Sequence, residues 1–334
     1  MEKIAILGSG NMGTALAVHL SRNNHIISIY SIEDQTVLNI NEFRENKKYL
    51  PNIRLSDNIS ATKELEVACK DAKFILIAVP SFAVGGLIKQ IIPYLHESSI
   101  LINIAKGIDE KTSLFMTQLI ENELPLEFKN NIVSLSGPSI ANEIANGVLT
   151  CVDISSKNNS ILEPTRQIFQ HELFKVFINN DIIGMQLGGF FKNIIAIGAG
   201  ICDGLGHNTN LKAALITKGF AELRKLARVL GADPHTLRGM SGLGDLIDTC
   251  FCADSRNRRF GEMLGKGMST QDAKQAIGQV VEGISAIQIA LELARAHNIR
   301  LELVEELEHA VFYGKNPNIM IHDFFNKVAA NEFE

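Results

Sequence analysis

Lys192 stands in the stretch Phe190–Gly206, where nearly all its neighbours are apolar. Such a lysine either carries its ammonium to solvent along its own stem or is held with a shifted proton affinity, as acid–base catalysts are. Farther on, Asp245 follows the glycine turn of Ser241–Gly244, and Thr249 comes one helical turn later. Ser255 is suited to cap a helix, and Arg256, Arg258 and Arg259 crowd the turn behind it. Cations are unfavourable at a helix N-terminus, so arginines there suit an anion that shares the free N–H groups. A solvated basic face is the plain alternative. Lys106 follows the apolar run Ser99–Asn103, and Gly137-Pro138-Ser139 follows Ile132–Leu135. Both fall where the C-terminal ends of strands gather ligands.

A second anion site opens the chain. The spacing Gly8-x-Gly10-x-x-Gly13 comes straight after the apolar run Lys3–Leu7 and begins a helical pattern. Gly8 permits a tight turn, Gly10 lets backbone approach a pyrophosphate, and Gly13 lets the helix pack close to the sheet. The strand-then-helix context makes this a dinucleotide loop rather than a bare motif. Glu33 lies 20 residues after Gly13. It either receives a ribose 2′-hydroxyl or simply starts the next helix. No lysine or arginine lies between Asn24 and Asn41 to meet a 2′-phosphate, which favours NAD(H) over NADP(H).

The elements that must position these residues follow from hydrophobic period. Strands are expected at Lys3–Leu7, Ile26–Tyr30, Phe74–Val79, Ser99–Asn103, Ile132–Leu135, Thr150–Ile154 and Lys175–Ile178, with amphipathic helices between them. That alternation predicts an α/β, doubly wound, mostly parallel Rossmann-type sheet. From Asp181 onward the periods are helical: Asp181–Cys202, Leu211–Leu230, Gly283–Ala296, Leu303–Phe312 and a short tail helix. The expected organisation is a dinucleotide-binding domain over residues 1–188 and an all-helical substrate domain over 189–334.

Bulk properties narrow the function. The 334 residues are 46% hydrophobic, ample for two cores, with a net charge of -5. No basic excess points to nucleic acid. Five cysteines without framework spacing read as free thiols of a cytoplasmic protein, and Cys250-x-Cys252 lacks a second ligand pair, so no metal is expected. No apolar run approaches the ~20 residues needed to span a bilayer.

Taken together, "GSGNMGTALA", "NKKYLP", "IAKGI", "SGPSIANEIA", "FFKNIIAIGAGICDGLG", "KAALITKGFAEL", "GMSGLGDLIDTC", "SRNRRFGEMLGKG" and "VVEGISA" resemble the bacterial type of NAD(P)-dependent sn-glycerol-3-phosphate dehydrogenase, in order and across nearly the whole chain. The resemblance implies reversible hydride transfer from NAD(P)H to dihydroxyacetone phosphate, giving sn-glycerol 3-phosphate for phospholipid synthesis. It implies that Lys192 is the proton donor and acceptor. It places substrate on Lys106, Gly137, Ser139, Lys192, Asn193, Asp245, Thr249, Ser255, Arg256 and Asn257. It places cofactor on Gly8, Gly10, Asn11, Met12, Gly13, Tyr49, Lys106, Ala141, Arg256, Val280 and Glu282. Two departures stand out: Asn11-Met12 replaces a common Ser-Trp, and Ile32 replaces a common arginine. The competing readings are a reductase of another small hydroxy acid, which needs no phosphate clamp, and a non-catalytic nucleotide sensor, which needs neither Lys192 nor Arg256. Apolar faces on the later helices are compatible with a homodimer.

Overall fold

The structure, a computed structural model, describes residues 1–206 and 209–327. The chain divides into two compact units, Met1–Gln186 and a second beginning at Leu187.

The first unit is built on strands β1 (Lys3–Leu7), β2 (Ile26–Tyr30), β3 (Glu45–Asn46), β4 (Leu50–Arg54), β5 (Ile59–Thr62), β6 (Phe74–Ile77), β7 (Ile100–Asn103), β8 (Ile132–Ser136), β9 (Thr150–Ser155) and β10 (Phe174–Ile178). Eight form one sheet in the order β10-β9-β8-β7-β6-β1-β2-β5, and β3 pairs with β4 in a separate ribbon. Within the eight-stranded sheet pairing is parallel except between β8 and β9, and the β3–β4 ribbon is antiparallel. Helices α1 (Asn11–Arg22), α2 (Asp34–Phe43), α3 (Leu65–Cys69), α4 (Ser81–Ile91), α5 (Met116–Glu123), α6 (Ala141–Asn146) and α7 (Leu162–Phe169) cover it. Because side chains alternate along a strand, Ile4 and Ile6 enter one core while Ala5 and Leu7 enter the other. Chain order reverses at β1, whose neighbours are β2 and β6, and that switch point is where such sheets leave a crevice.

All seven expected strands are present, each within two residues of its expected limits. The ribbon β3–β4 and strand β5 escaped the period-2 reading. β3 is two residues long, β4 contains Pro51, and β5 is the four-residue, half-polar Ile-Ser-Ala-Thr.

The second unit is helical: α8 (Ile182–Gly204, beginning just ahead of the unit boundary), α9 (Thr209–Val229), α10 (Asp245–Phe251), α11 (Arg256–Gly265), α12 (Thr270–Ile277), α13 (Glu282–Ala296), α14 (Glu302–Tyr313) and α15 (Pro317–Lys327). One expectation needs correcting here. α8 is 23 residues long and apolar enough to meet the criteria for a membrane span, but 89% of its most apolar window is buried within the fold. It is apolar all round because protein surrounds it.

Candidate functional site

In the first unit the glycine loop joins β1 to α1. Gly8 has φ of +123°, and a Cβ there would lie 2.5 Å from the Ala78 carbonyl oxygen. A Cβ on Gly13 would lie 2.1 Å from the Gly8 carbonyl oxygen. The fold itself demands these two glycines. Gly10 is different: its φ is −66°, and a Cβ would meet nothing within 4 Å. Gly10 keeps space clear outside the loop. It also leaves the N-terminus of α1 without a side-chain cap, and that first turn carries no acid. Open space in front of uncapped N–H groups fits a dinucleotide pyrophosphate. Asn11 is exposed at this turn, and Met12 packs its side chain against the core.

At the end of β2, Glu33 precedes α2, and its carboxylate accepts from Lys48 Nζ at 2.5 Å, Tyr49 Oη at 2.8 Å and Thr36 Oγ1 at 2.7 Å. The Lys48 hydrogen bond, then that of Thr36, holds this carboxyl down to about 2. The window Asn24–Asn41 holds no lysine or arginine, but the ribbon β3–β4 brings Lys48 back to Glu33 from outside it. Sequence reasoning missed Lys48 and also Asn46, which accepts from the Tyr49 N–H at 3.4 Å. The signal for Lys48 is the Lys47-Lys48 pair in the short polar stretch Glu45–Tyr49 ahead of β4.

Lys106, Gly137 and Ser139 come together beyond the ends of β7 and β8. Lys106 Nζ donates to the Gly137 carbonyl at 3.3 Å, and Ser139 Oγ donates to the same oxygen at 2.9 Å. Gly137 has φ of +149°, and a Cβ there would lie 2.9 Å from Val152 Cα. Ala141 is the first residue of α6.

In the second unit, Lys192 lies on α8 with 7% of its surface exposed, and its ammonium donates to the fully buried carboxylate of Asp245. Asp245 begins α10 behind a wide turn over Met240–Gly244, closed by Gly244 N–H donating to the Gly239 carbonyl at 3.1 Å. A buried ammonium and carboxylate persist only when each has its partner. A second set of contacts surrounds Asn193. It donates from Nδ2 to Glu282 Oε2 at 3.3 Å and accepts at Oδ1 from Asn257 Nδ2 at 2.9 Å. Asn257 Oδ1 in turn accepts from the Gly283 backbone N–H at 2.9 Å. Helices α8, α11 and α13 thus meet through side chains from positions 193, 257 and 282. The Thr249 hydroxyl donates to its own helix, to the Asp245 carbonyl at 2.7 Å. Cys250, next to it, is fully buried, and burial pushes its thiol up to about 12, away from the thiolate form.

The three arginines of α11 separate. Ser255 caps the helix by accepting from the Arg258 N–H at 3.3 Å. Arg256 is exposed and donates from Nη1 to the Val280 carbonyl at 2.9 Å. Arg259 is exposed as well. Arg258 pairs instead with Asp203 at 2.6 Å and Glu262 at 3.6 Å, while Lys212 reaches Asp203 at 2.9 Å. The sequence offered all three to an anion; the fold uses Arg258 to hold α11 to the end of α8.

That clamp sits over a crossing with no side chains. A Cβ on Gly200 would lie 1.9 Å from the Arg258 carbonyl oxygen, and one on Gly204 would lie 2.2 Å from that of Glu262. Reciprocally, a Cβ on Gly261 would lie 2.0 Å from the Ile197 carbonyl oxygen. Backbone meets backbone, so α8 and α11 have a single depth of approach.

These features agree with the comparisons. Models of the NAD-dependent glycerol-3-phosphate dehydrogenase N-terminus and C-terminus match residues 3–162 and 181–322. Glycerol-3-phosphate dehydrogenase [NAD(P)+] of Bacillus velezensis is 40% identical over 334 residues, covering 100% of this chain and 97% of its own. That of Bacillus subtilis is 38% identical with the same coverage. The crystal structure of glycerol-3-phosphate dehydrogenase from Coxiella burnetii superposes with a TM-score of 0.92 at 34% identity, covering 98% of this chain and 99% of that one. A ketopantoate reductase from Ralstonia eutropha, at 15% identity and a TM-score of 0.61, shares the fold alone. The glycine loop, the buried lysine–aspartate pair and the capped arginine helix are therefore those of a chain that belongs to the NAD-dependent glycerol-3-phosphate dehydrogenase family.

Proposed function

We propose that this chain catalyses the reversible reduction of dihydroxyacetone phosphate to sn-glycerol 3-phosphate, a phospholipid precursor, with NAD(H) or NADP(H) as cofactor. The first unit is the cofactor domain and the second carries the catalytic lysine. The observation that carries this reading is the buried Lys192–Asp245 pair, because reduction of a ketone requires a proton source at the carbonyl oxygen.

When bound, the reduced nicotinamide supplies a hydride to the carbonyl carbon. The Lys192 ammonium polarises the carbonyl oxygen and delivers a proton to it as negative charge grows there. In the reverse direction the neutral amine accepts that proton. Asp245 aims the ammonium and balances its charge where water is scarce. Asn193, Asn257 and Glu282 hold their shared geometry, and Asn193 and Asn257 offer amide groups to the substrate hydroxyls. Arg256 and the Ser255-capped start of α11 receive the phosphate, since a guanidinium fork matches its oxygens. Lys106, Gly137, Ser139 and Thr249 complete the substrate set. Gly8, Gly10, Asn11, Met12, Gly13, Tyr49, Lys106, Ala141, Arg256, Val280 and Glu282 form the cofactor set.

Initial rates of NADH and NADPH oxidation with dihydroxyacetone phosphate test this reading, with unphosphorylated dihydroxyacetone as control. Turnover that requires the phosphate is expected. A folded protein that binds cofactor and turns over only an unphosphorylated hydroxy or keto acid would overturn it. We also place the enzyme in the cytoplasm, in keeping with its free thiols. A homodimer is proposed on the strength of Tyr313 and Ile319, apolar and exposed on α14 and α15. Light scattering that gives only the monomer mass would remove it.

A further inference from the structure

Five residues around the end of β2 close a hydrogen-bonded ring. Ser9 Oγ donates to Ser31 Oγ at 2.7 Å, and the Glu33 N–H donates to that same hydroxyl at 3.3 Å. Tyr49 Oη donates to Glu33 at 2.8 Å, and the Tyr49 N–H donates to Asn46 Oδ1 at 3.4 Å. Asn46, almost fully buried, returns to the start by donating from Nδ2 to the Ser9 carbonyl at 2.8 Å. The ring ties the glycine loop, the end of β2 and the ribbon β3–β4 into one frame. Glu33 is its acidic member, and Lys48 is the cation attached to it.

We infer that the Glu33–Lys48 pair is the cofactor-selecting element of this chain, and that it favours NAD(H) over NADP(H). The inference rests on the reading that this unit binds a nicotinamide dinucleotide, whose adenosine ribose comes to the end of the second strand. A carboxylate offers about four lone-pair sites. Among the described residues, Lys48 and Tyr49 occupy the two on Glu33 Oε1, and Thr36 occupies one on Oε2. One acceptor site is left. A ribose 2′-hydroxyl is a donor and fills it. A 2′-phosphate dianion has no proton to give and brings like charge against the carboxylate. The neighbouring cations are committed elsewhere: Lys63 pairs with Asp34 at 2.6 Å, and Lys47 lies over the Phe43 ring at 5.4 Å. Lys48, held on Glu33 itself with its side chain 59% exposed, is the cation that offsets the repulsion. NADP(H) is therefore admitted, but at a penalty that Glu33 sets and Lys48 limits.

Calorimetric titration of the full chain with NADH and NADPH tests this without turnover, on the parent protein and on Glu33→Gln and Lys48→Ala. The parent is expected to bind NADH about tenfold more tightly, the scale of one charge contact near a protein surface. Glu33→Gln keeps the shape and loses the charge, so the ratio should fall to within about threefold, mainly through tighter NADPH. Lys48→Ala should widen the ratio, mainly through weaker NADPH. Melting temperatures and titration with adenosine 5′-monophosphate against adenosine 2′,5′-bisphosphate show whether the ring still holds its shape in each variant. Parent protein that binds NADPH as tightly as NADH, or a ratio that stays put in Glu33→Gln, overturns the inference while leaving the dehydrogenase reading intact. Parent protein that binds neither cofactor removes both.

Discussion

The two units present their candidate sites in opposite ways. In the first, the candidate pyrophosphate cradle is backbone: two glycines whose Cβ the fold has no room for, a third with open space in front of it, and the uncapped start of α1. All of it lies within six consecutive residues, Gly8–Gly13. In the second, the proposed site is made of side chains: a lysine on α8, an aspartate on α10, asparagines on α8 and α11, and a glutamate on α13. The Lys192–Asp245 contact spans 53 positions and the Asn193–Glu282 contact 89. A backbone site can be written as a local motif because one turn builds it. A side-chain site exists only once several helices have packed.

The largest test of that contrast is Lys192→Met. It should lower kcat by about a thousandfold or more, the scale of a lost general acid, with NADH affinity unchanged within about twofold by fluorescence titration. Loss of both together would mean that the second unit does not work separately from the first. Next comes the division between arginines two positions apart. Arg256→Ala should raise KM for the phosphorylated ketone about thirtyfold, a charge-assisted bidentate contact, and leave melting unchanged. Arg258→Ala should do the reverse, lowering the melting temperature by a few degrees with a small effect on KM.

The glycines of the first loop give a third test. Gly10→Ala should weaken cofactor binding about tenfold, since a methyl group enters the space kept for the ligand, while chemical denaturation stays within about 0.5 kcal/mol of the parent. Gly13→Ala should destabilise the fold by about 1–3 kcal/mol, because its Cβ meets the Gly8 carbonyl. Equal destabilisation by both would break the distinction between a glycine needed for folding and one needed for binding.

The smallest effect concerns pH, where a buried group in the first unit and one in the second have opposite habits. Burial pushes His19, stacked on Phe174 at 4.2 Å in the first unit, down to about 4. Its folded value lies below its unfolded one, so its contribution is present above about pH 6.5 and is lost as pH falls towards 4. Burial pushes Glu222 in the second unit up to about 8; it accepts from the Leu303 N–H at the start of α14 at 2.6 Å. Its folded value lies above its unfolded one, so its contribution is full below about pH 4.5 and is lost as pH rises towards 8. Hydrogen exchange at pH 5 and pH 8 should therefore loosen the first unit at the acid end and the second at the alkaline end. Glu222→Gln should flatten the alkaline trend; an unchanged trend would assign it to another group.

The same contrast explains what could be read in advance. The strands of the parallel sheet announced themselves because Ile4–Leu7 and Phe74–Ile77 are buried on both faces and so are continuously apolar. The long helices announced themselves by period. Lys192 stood out as a lone charge, yet nothing in its neighbourhood named Asp245 as its partner, because that pairing depends on how α8 and α10 pack. Arg258 looked like Arg256 in sequence; only the arrival of Asp203 from the end of α8 separates them. Lys48 went unnoticed because a two-residue strand carries no periodicity, although it completes the Glu33 cluster.

The crossing of α8 over α11 has a consequence of its own. Most helix pairs are joined by side chains, and side chains have several staggered settings that exchange with temperature. Gly200, Gly204 and Gly261 have no such settings. The interval between the helix that carries Lys192 and the helix that begins at Arg256 is therefore fixed by peptide planes. It works as a gauge block, a standard of length made from the stiffest part of the chain, against which the looser groups around it are set.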